Sequence, residues 1–273
     1  MSVHYELGKR SEAPNVVLIT LDRPEAKNAC DLEHFHQLAQ AWKRFAEDGD
    51  AWVAIFTGVG RSYMAGADLK TYVPEITALS QKIKDGTATD VGGYSLSDGT
   101  DAVLRGSKIY KPIIAAVNGP CVAGGMEMLG GVDIRIASEH ATFGVLEPSH
   151  GLFAGGGTTV RLPRQVPFAH AMEFLLCADI VDARKALDMG LLNAVVPEDV
   201  LLDTAFDYAA RITKNAPLAI QATKRSVLEG LKVDMREAYR NESRISREVF
   251  ATEDAKEGPR AFAEKRRPQW SGR

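Results

Sequence analysis

Runs of apolar residues and residues spaced at helical intervals alternate along most of the chain. The runs at 16–21 and 52–57 predict buried strands, and the apolar spacing over 32–47 predicts an amphipathic helix. Further strands are predicted at 3–7, 113–117, 133–137 and 191–196, and further helices at 75–84, 101–110, 167–176 and 183–189. This alternation is typical of an α/β fold.

The pattern becomes entirely helical after Pro197. Four helices are predicted there, at about 199–213, 217–230, 234–250 and 253–264. We therefore divide the chain into residues 1–199 and residues 200–273.

The residues at 85–100 are polar and rich in Gly, Ser, Thr and Asp. They predict a loop between two helices. A loop of this length inside a compact domain is usually either functional or disordered. The sequence leaves both interpretations open.

Residues 111–131 combine a predicted buried strand, a glycine-rich turn and the start of a helix. Without Cβ atoms, Gly124 and Gly125 would let a ligand oxygen approach the free N–H groups of the helix start. Tight packing between strand and helix would explain the glycines equally well. Glu127 follows in apolar surroundings, and residues 62–69 form a second turn of small residues.

Composition and charge exclude several classes of function. The chain has 273 residues, of which 45% are hydrophobic and 25% charged, as in an ordinary globular protein. A net charge of −3 disfavours a general nucleic-acid binder, and no apolar run has membrane-spanning length. The three cysteines lie far apart, so we expect no disulfide framework, no metal site and a cytoplasmic location.

Common catalytic motifs are absent from the sequence. Gly119 and Gly124 have the spacing of a P-loop, but Gly125 and Met126 stand where Lys and Ser or Thr are needed. The chain contains no GxGxxG, no GxSxG and no HExxH. These absences disfavour a dinucleotide enzyme, a serine hydrolase of the nucleophile-elbow type and a zinc protease.

Six segments, in order along nearly the whole chain, carry a family resemblance. They are LDRPEAKNA (21–29), AGADLK (65–70), PIIAAVNG (112–119), GGME (124–127), FGVLE (143–147) and DAKEG with FAEKR (254–266). In these segments the sequence resembles the crotonase (enoyl-CoA hydratase/isomerase) family. The resemblance implies an α/β fold, a crotonase-like spiral of ββα units, followed by a C-terminal α-helical trimerisation domain. A homotrimer or a hexamer built from two trimers is expected.

The resemblance also implies an acyl-CoA substrate that reacts through an enolate-like state. Its thioester oxygen would accept hydrogen bonds from the backbone N–H groups of Ala67 and Gly124. Two glutamates would share the acid–base work, with Glu127 taking a proton from water and Glu147 supplying the proton to Cα. No separate cofactor is implied, because coenzyme A is part of the substrate.

Further residues would bind the substrate or its CoA portion by the same resemblance. They are Ala26, Lys27, Asn28, Ala65, Gly66, Asp68, Leu69, Gly155 and, from a neighbouring subunit, Phe262 and Lys265. Enoyl-CoA hydratase is the leading interpretation. A Δ3,Δ2-enoyl-CoA isomerase or another crotonase-family acyl-CoA reaction is the alternative, since Leu146 stands where hydratases usually have Pro. A scaffold that binds CoA or RNA is disfavoured by the intact glutamate pair and the net negative charge.

Overall fold

The strands form a six-stranded sheet and two small sheets in a computed structural model that describes residues 2–86 and 93–273. The strands are Val3–Leu7 (β1), Val16–Leu21 (β2), Ala29–Cys30 (β3), Val53–Gly58 (β4), Gly66–Ala67 (β5), Ile113–Val117 (β6), Cys121–Val122 (β7), Ile134–Ser138 (β8), Thr142–Gly144 (β9), Val181–Asp182 (β10) and Ala194–Val196 (β11). The large sheet has the order β1-β2-β4-β6-β8-β11. Only the β1–β2 pair within its described strands is antiparallel.

The helices follow the predicted periodicity closely. They are Leu32–Glu47 (α1), Tyr72–Lys84 (α2), Asp98–Ala102 (α3), Gly124–Leu129 (α4), Thr158–Arg161 (α5), Phe168–Cys177 (α6), Ala183–Asp188 (α7), Leu201–Thr213 (α8), Pro217–Gly230 (α9), Met235–Phe250 (α10) and Glu253–Ala263 (α11). Short 3-10 turns lie at Pro24–Ala26, Glu147–His150, Leu162–Arg164 and Glu198–Val200. The helix at 32–47 begins as predicted from Asp31, whose side chain accepts a hydrogen bond from the N–H of His34.

A strand–strand–helix unit repeats along the chain. In each repeat a strand of the large sheet (β2, β4, β6 or β8) is followed by a short strand of a small sheet (β3, β5, β7 or β9) and then by a helix. The two-stranded sheet pairs β3 with β5, and the three-stranded sheet has the order β10-β9-β7. The short strands therefore bring the predicted small-residue turns together on one side of the large sheet.

Alternate residues of the large sheet supply two hydrophobic layers. Val17, Ile19 and Phe56 face the layer that also contains Trp42 and Phe45 of α1. Their neighbours along the strands face the opposite layer, which α8 covers; its buried members include Val16, Leu18, Val53, Ile55, Ile114, Ile136, Leu201, Ala205 and Phe206. Burial of both faces explains why these strands are apolar throughout.

The helix predicted at 101–110 is wrong in its bounds. α3 ends at Ala102, and Leu104 and Gly106 then adopt left-handed backbone conformations, with φ of 59° and 72°. The backbone carbonyls of Val103 and Leu104 instead accept hydrogen bonds from the Arg161 guanidinium. This tertiary contact replaces the helical hydrogen bonds, which the local pattern does not reveal. Of the loop predicted at 85–100, residues 87–92 lie outside the described residues.

The C-terminal helices differ in what they cover. α8 packs on the large sheet, whereas α9 and α10 pack mainly against each other and expose large apolar side chains. Lys224 links α9 to the sheet region through an ion pair of 2.7 Å with Asp133. The division at residues 199 and 200 stays a prediction. Within residues 2–86 and 93–273, none of the helices is long and apolar enough to cross a membrane.

Candidate active site

Two small-residue turns, predicted as separate features, lie directly against each other. A Cβ atom added to Gly66 would lie 2.7 Å from the backbone nitrogen of Gly124. A Cβ added to Gly124 would lie 2.9 Å from Gly66 Cα and 3.6 Å from Ala67 N. Side chains at either glycine would push the two turns apart, so both positions require glycine for packing as well as for access.

The backbone N–H groups of Ala67 and Gly124, predicted to bind the thioester oxygen, belong to these two adjoining turns. The backbone N–H of Asp68 donates to the carbonyl of Cys30 in β3. Because successive N–H groups of a strand point to opposite sides, the N–H of Ala67 points away from β3. Gly124 is the first residue of α4, where an N–H has no partner within its own helix. Ala123, just before it, is held at φ 49° and ψ −118°, a strained conformation that aims the start of α4.

Glu127 lies one turn into α4, three residues after Gly124. Its carboxylate Oε1 accepts a hydrogen bond from the backbone N–H of Gly156. Burial raises the pKa of this carboxyl, although the Gly156 N–H and the positive charges of Arg161 and Arg105 oppose the increase. The carboxylate is therefore partly desolvated and held in one orientation.

Glu147 begins the 3-10 turn that follows β9. Burial raises the pKa of its carboxyl to about 7, and the negative charge of Glu127 adds to the effect. Its Oε2 atom is buried and has no hydrogen-bond partner among the described residues. An unsatisfied, desolvated carboxyl of this kind is typical of a group that works as an acid or a base.

Both carboxylates and both turns line one cavity of about 450 Å³. Its mainly apolar wall is suited to an acyl chain. The lining includes Ala65, Ala67, Leu69, Gly124, Glu127, Glu147 and Gly155 from the predicted site, and Phe35, Tyr72, Val73, Leu96, Gly99, Thr100, Ala123, His150, Leu152, Phe153 and Gly156 beside them. The structure thus brings together the predicted acid–base pair, the predicted oxyanion donors and three of the predicted binding residues.

Other predicted binding residues lie outside this lining. Asn28 is fully buried, and its amide donates to the backbone carbonyls of Val59 and Ser62 at 3.0 and 2.6 Å. Its side chain therefore joins two loops, and we infer that any effect on a ligand is indirect. Asp68 forms an ion pair of 3.0 Å with Arg23.

Five more predicted residues also lie outside the lining of this cavity. Ala26 and Lys27 lie on the turn before β3, and Lys27 is exposed. Phe262 is 87% exposed near the end of α11, and Lys265 follows it on the surface. Gly66 packs behind Gly124 rather than lining the cavity.

Two functional contacts escaped the sequence analysis. A Cβ on Gly156 would overlap the Glu127 carboxylate, so this glycine both orients the carboxylate and leaves room for it. Arg161 donates to the carbonyl of Glu127 at 3.0 Å and ties α4 to residues 103–104. The glycine run Gly155–Gly157 was the sequence signal that could have revealed the contact of Gly156 with Glu127. No sequence signal pointed to the contact of Arg161.

Metal-dependent chemistry requires a suitable ligand cluster. The described part of the chain contains no group of three or more His, Cys, Asp and Glu side chains placed to hold a metal ion.

Comparison with known proteins decides the family. The family model described as enoyl-CoA hydratase/isomerase matches residues 11–273. The chain belongs to this family. This match confirms the predicted crotonase relationship and the prediction that the chain is an enzyme. The activity of the protein is therefore of the enoyl-CoA hydratase/isomerase kind.

Related sequences span nearly the full length of the chain. Enoyl-CoA hydratase EchA19 of Mycobacterium tuberculosis is 42% identical over 259 residues, which are 95% of this chain and 94% of the relative. The (E)-benzylidenesuccinyl-CoA hydratase of Thauera aromatica is 37% identical, covering 94% of this chain and 96% of the relative. Both relatives are named as hydratases of CoA thioesters, and only the second name specifies the acyl group.

Solved structures show the same fold. The enoyl-CoA hydratase structure from Bacillus anthracis has a TM-score of 0.87 at 29% identity and full coverage of both chains. An enoyl-CoA hydratase from Mycobacterium tuberculosis has a TM-score of 0.84 at 37% identity, covering 100% of this chain and 99% of the other. The predicted crotonase-like α/β fold is confirmed.

Proposed function

We propose that this protein is an enoyl-CoA hydratase that uses both glutamates. The observation that carries the proposal is the pair of partly buried carboxyls, Glu127 and Glu147, with raised pKa values on one cavity. The backbone donors of Ala67 and Gly124 lie on the same cavity. A single general base would serve an isomerase, whereas adding water needs one group for the water and one for carbon.

The proposed reaction adds water across the 2,3 double bond of the thioester. Glu127 takes a proton from water while the water oxygen forms a bond to Cβ. The π electrons move toward the thioester oxygen, which accepts hydrogen bonds from Ala67 N–H and Gly124 N–H. Glu147 then donates its proton to Cα as the carbonyl reforms. Exchange with solvent restores the two protonation states.

The electrostatics of the cavity suit these roles. Each preorganised N–H donor to a developing oxyanion is typically worth about 3–4 kcal/mol in the transition state. A Glu147 pKa of about 7 keeps a large fraction of this carboxyl protonated near neutral pH, as a proton donor requires. Burial raises the pKa of Glu127, but the positive charges of Arg161 and Arg105 limit the increase and so favour the ionised form that a proton acceptor requires.

The remaining parts of the proposal concern the CoA moiety and assembly. Ala26 and Lys27 would lie along CoA, with Phe262 and Lys265 supplied by a neighbouring copy in a homotrimer or hexamer. CoA would enter as part of the substrate, without a separate cofactor, in the cytoplasm. The exposure of Phe262 and of apolar side chains on α9 and α10, including Val227 and Phe250, supports an assembly through this region.

The test compares Glu127→Gln, Glu147→Gln and the exposed-site control Glu12→Gln. Each active-site variant should lower kcat for crotonyl-CoA hydration by about 10³-fold or more, because general acid–base catalysis contributes on this order. Binding of a saturated acyl-CoA, measured by calorimetry, should persist in all three. Hydration is measured as the loss of absorbance of the conjugated enoyl thioester, and the product is then identified.

Two outcomes would redirect the proposal. Wild-type hydration by either active-site variant would remove the two-carboxylate mechanism. A wild-type protein that interconverts 3-enoyl-CoA and 2-enoyl-CoA but does not hydrate either would be an isomerase. In that case one of the two glutamates should prove dispensable.

A further inference from the structure

One wall of the cavity is a short segment, residues 94–102, which we call the acyl wall. Leu96, Gly99 and Thr100 of this segment line the cavity. Its helix, α3, has only five residues, and within the described chain Ser97 makes no side-chain cap hydrogen bond at its start. So short a helix has little stability of its own. The position of the acyl wall must therefore come from tertiary contacts.

Both ends of α3, within the acyl wall, are attached to α1. Trp42 Nε1 donates to the carbonyl of Ala102 at 3.0 Å, in a buried contact at the C-terminal end. His36 Nδ1 lies 2.9 Å from Asp98 Oδ2 at the N-terminal end. A carboxylate only accepts hydrogen bonds, so His36 carries its proton on Nδ1. The two attachments are six residues apart on α1.

The histidine contact is more than a surface ion pair. The Asp98 side chain is only 9% exposed, and the same Oδ2 atom accepts from Ser95 N at 2.8 Å. The His36 ring also meets the ring of Tyr94 edge-on, with centroids 5.3 Å apart. A single imidazole therefore contacts two residues of the acyl wall, and through Asp98 it fixes the turn at Ser95.

The opposite side of the acyl wall rests on Tyr72. A Cβ on Gly99 would lie 2.5 Å from the Tyr72 hydroxyl, so this aromatic ring is packed directly against the segment. Tyr72 also packs on Phe35 of α1, with centroids 4.6 Å apart, and both rings line the cavity. The gap between these rings and Leu96 thus depends on where α3 is held.

We propose that the His36–Asp98 pair is a positioning device that sets the acyl wall and thereby the selectivity for the acyl chain. The inference rests on the proposed action on acyl-CoA thioesters. The reacting groups lie on other elements: Glu127 and Gly124 on α4, and Glu147 after β9. Loss of the pair should release the N-terminal half of the acyl wall, while Trp42 still holds its end. Contacts with the distal acyl carbons should weaken more than those with the thioester.

The experiment measures the binding of butanoyl-CoA and octanoyl-CoA by calorimetry, and the hydration of the 2-enoyl-CoA thioesters of the same lengths. His36→Ala should weaken octanoyl-CoA relative to butanoyl-CoA by about tenfold, the loss expected when roughly two buried methylenes lose their contacts. The same selectivity change should appear in KM rather than in kcat. Asp98→Ala, which removes the carboxylate that accepts from His36 and Ser95, should shift the ratio in the same direction.

Two further variants separate positioning from general stability. His36→Asn places an amide N–H near the position of Nδ1 and should recover most of the octanoyl-to-butanoyl ratio. His4→Ala removes another histidine–carboxylate contact of 2.9 Å, with Asp22, that lies outside the cavity lining. It should leave the ratio unchanged.

The outcomes distinguish this inference from the proposed function. An unchanged ratio in both His36→Ala and Asp98→Ala overturns the inference, as does an equal shift in His4→Ala. A shifted binding ratio in a protein without hydratase activity leaves the positioning device in place and removes the proposed reaction. If His36→Ala does not fold, Asp98→Ala alone decides between these results.

Discussion

The raised pKa of Glu147 makes a quantitative prediction about stability. The carboxyl titrates at about 7 in the folded protein, against 4.5 as its ordinary value. Below pH 4.5 the group is protonated in both folded and unfolded chains, so burial of the carboxyl costs little. As the pH rises from 4.5 to about 7, the unfolded chain ionises this carboxyl while the folded protein keeps it protonated, so stability is lost until the folded group also ionises. Glu147→Gln removes this loss.

The magnitude follows from the linkage between pKa and stability. A shift of about 2.5 units corresponds at most to about 3.4 kcal/mol when the group is fully ionised. The Glu147 carboxyl is not completely enclosed, so solvent screening reduces the effect. Between pH 5 and pH 8.5 we expect Glu147→Gln to gain about 1–2 kcal/mol in free energy of unfolding relative to wild type.

The assay is urea unfolding at both pH values, with one fixed protein concentration because assembly would contribute to stability. Glu12→Gln controls for the loss of an exposed negative charge. Glu127→Gln should reduce the pH-dependent difference, since the Glu127 charge contributes to the raised pKa of Glu147. If the wild type and Glu147→Gln differ equally at pH 5 and pH 8.5, Glu147 is not held as an uncharged carboxyl and the assigned role as an acid loses its basis.

Three other predictions follow from the same structure. Gly156→Ala should lower kcat for hydration by about 10–100-fold, with acyl-CoA binding less affected, because a Cβ would displace the Glu127 carboxylate; unchanged kcat would contradict this. Light scattering at micromolar concentration should show a trimer or hexamer, and a 29.6 kDa monomer would refute the expected assembly. Steady-state assays should show higher kcat/KM for medium, long or ring-bearing enoyl-CoA than for crotonyl-CoA. Deleting residues 86–99 should change that preference more than urea stability; the deleted segment includes 87–92, outside the described residues.

The sequence predicted most of the fold because its elements are locally encoded. Apolar runs of strand length and the 3.6-residue spacing of the helices gave bounds close to those observed for β2, β6, α1, α9 and α10. The Gly124–Glu127 spacing also placed a carboxylate one turn after a helix start, and the structure keeps that arrangement. The failure at 101–110 came from a long-range contact, since Arg161 takes the carbonyls that a helix would have used.

The resemblance gave the site its expected residues, but not what each one touches. The motif that contains Asn28 predicts a ligand-binding residue. In the structure its side-chain amide instead donates hydrogen bonds to the backbone carbonyls of Val59 and Ser62. Leu104 shows no sign in the sequence of its left-handed conformation. Local patterns carry no information about which distant group will satisfy a buried polar atom.

By itself, then, the chain determined its α/β class, its small-residue turns and the positions of its two candidate acid–base residues. Tertiary structure alone decided that Gly66 and Gly124 meet, that Gly156 orients Glu127, and that His36 holds Asp98. The partners in these last two contacts are 29 and 62 residues apart in sequence. Such contacts exist only after the strand–strand–helix repeats stack, because stacking both buries the polar groups and supplies their partners.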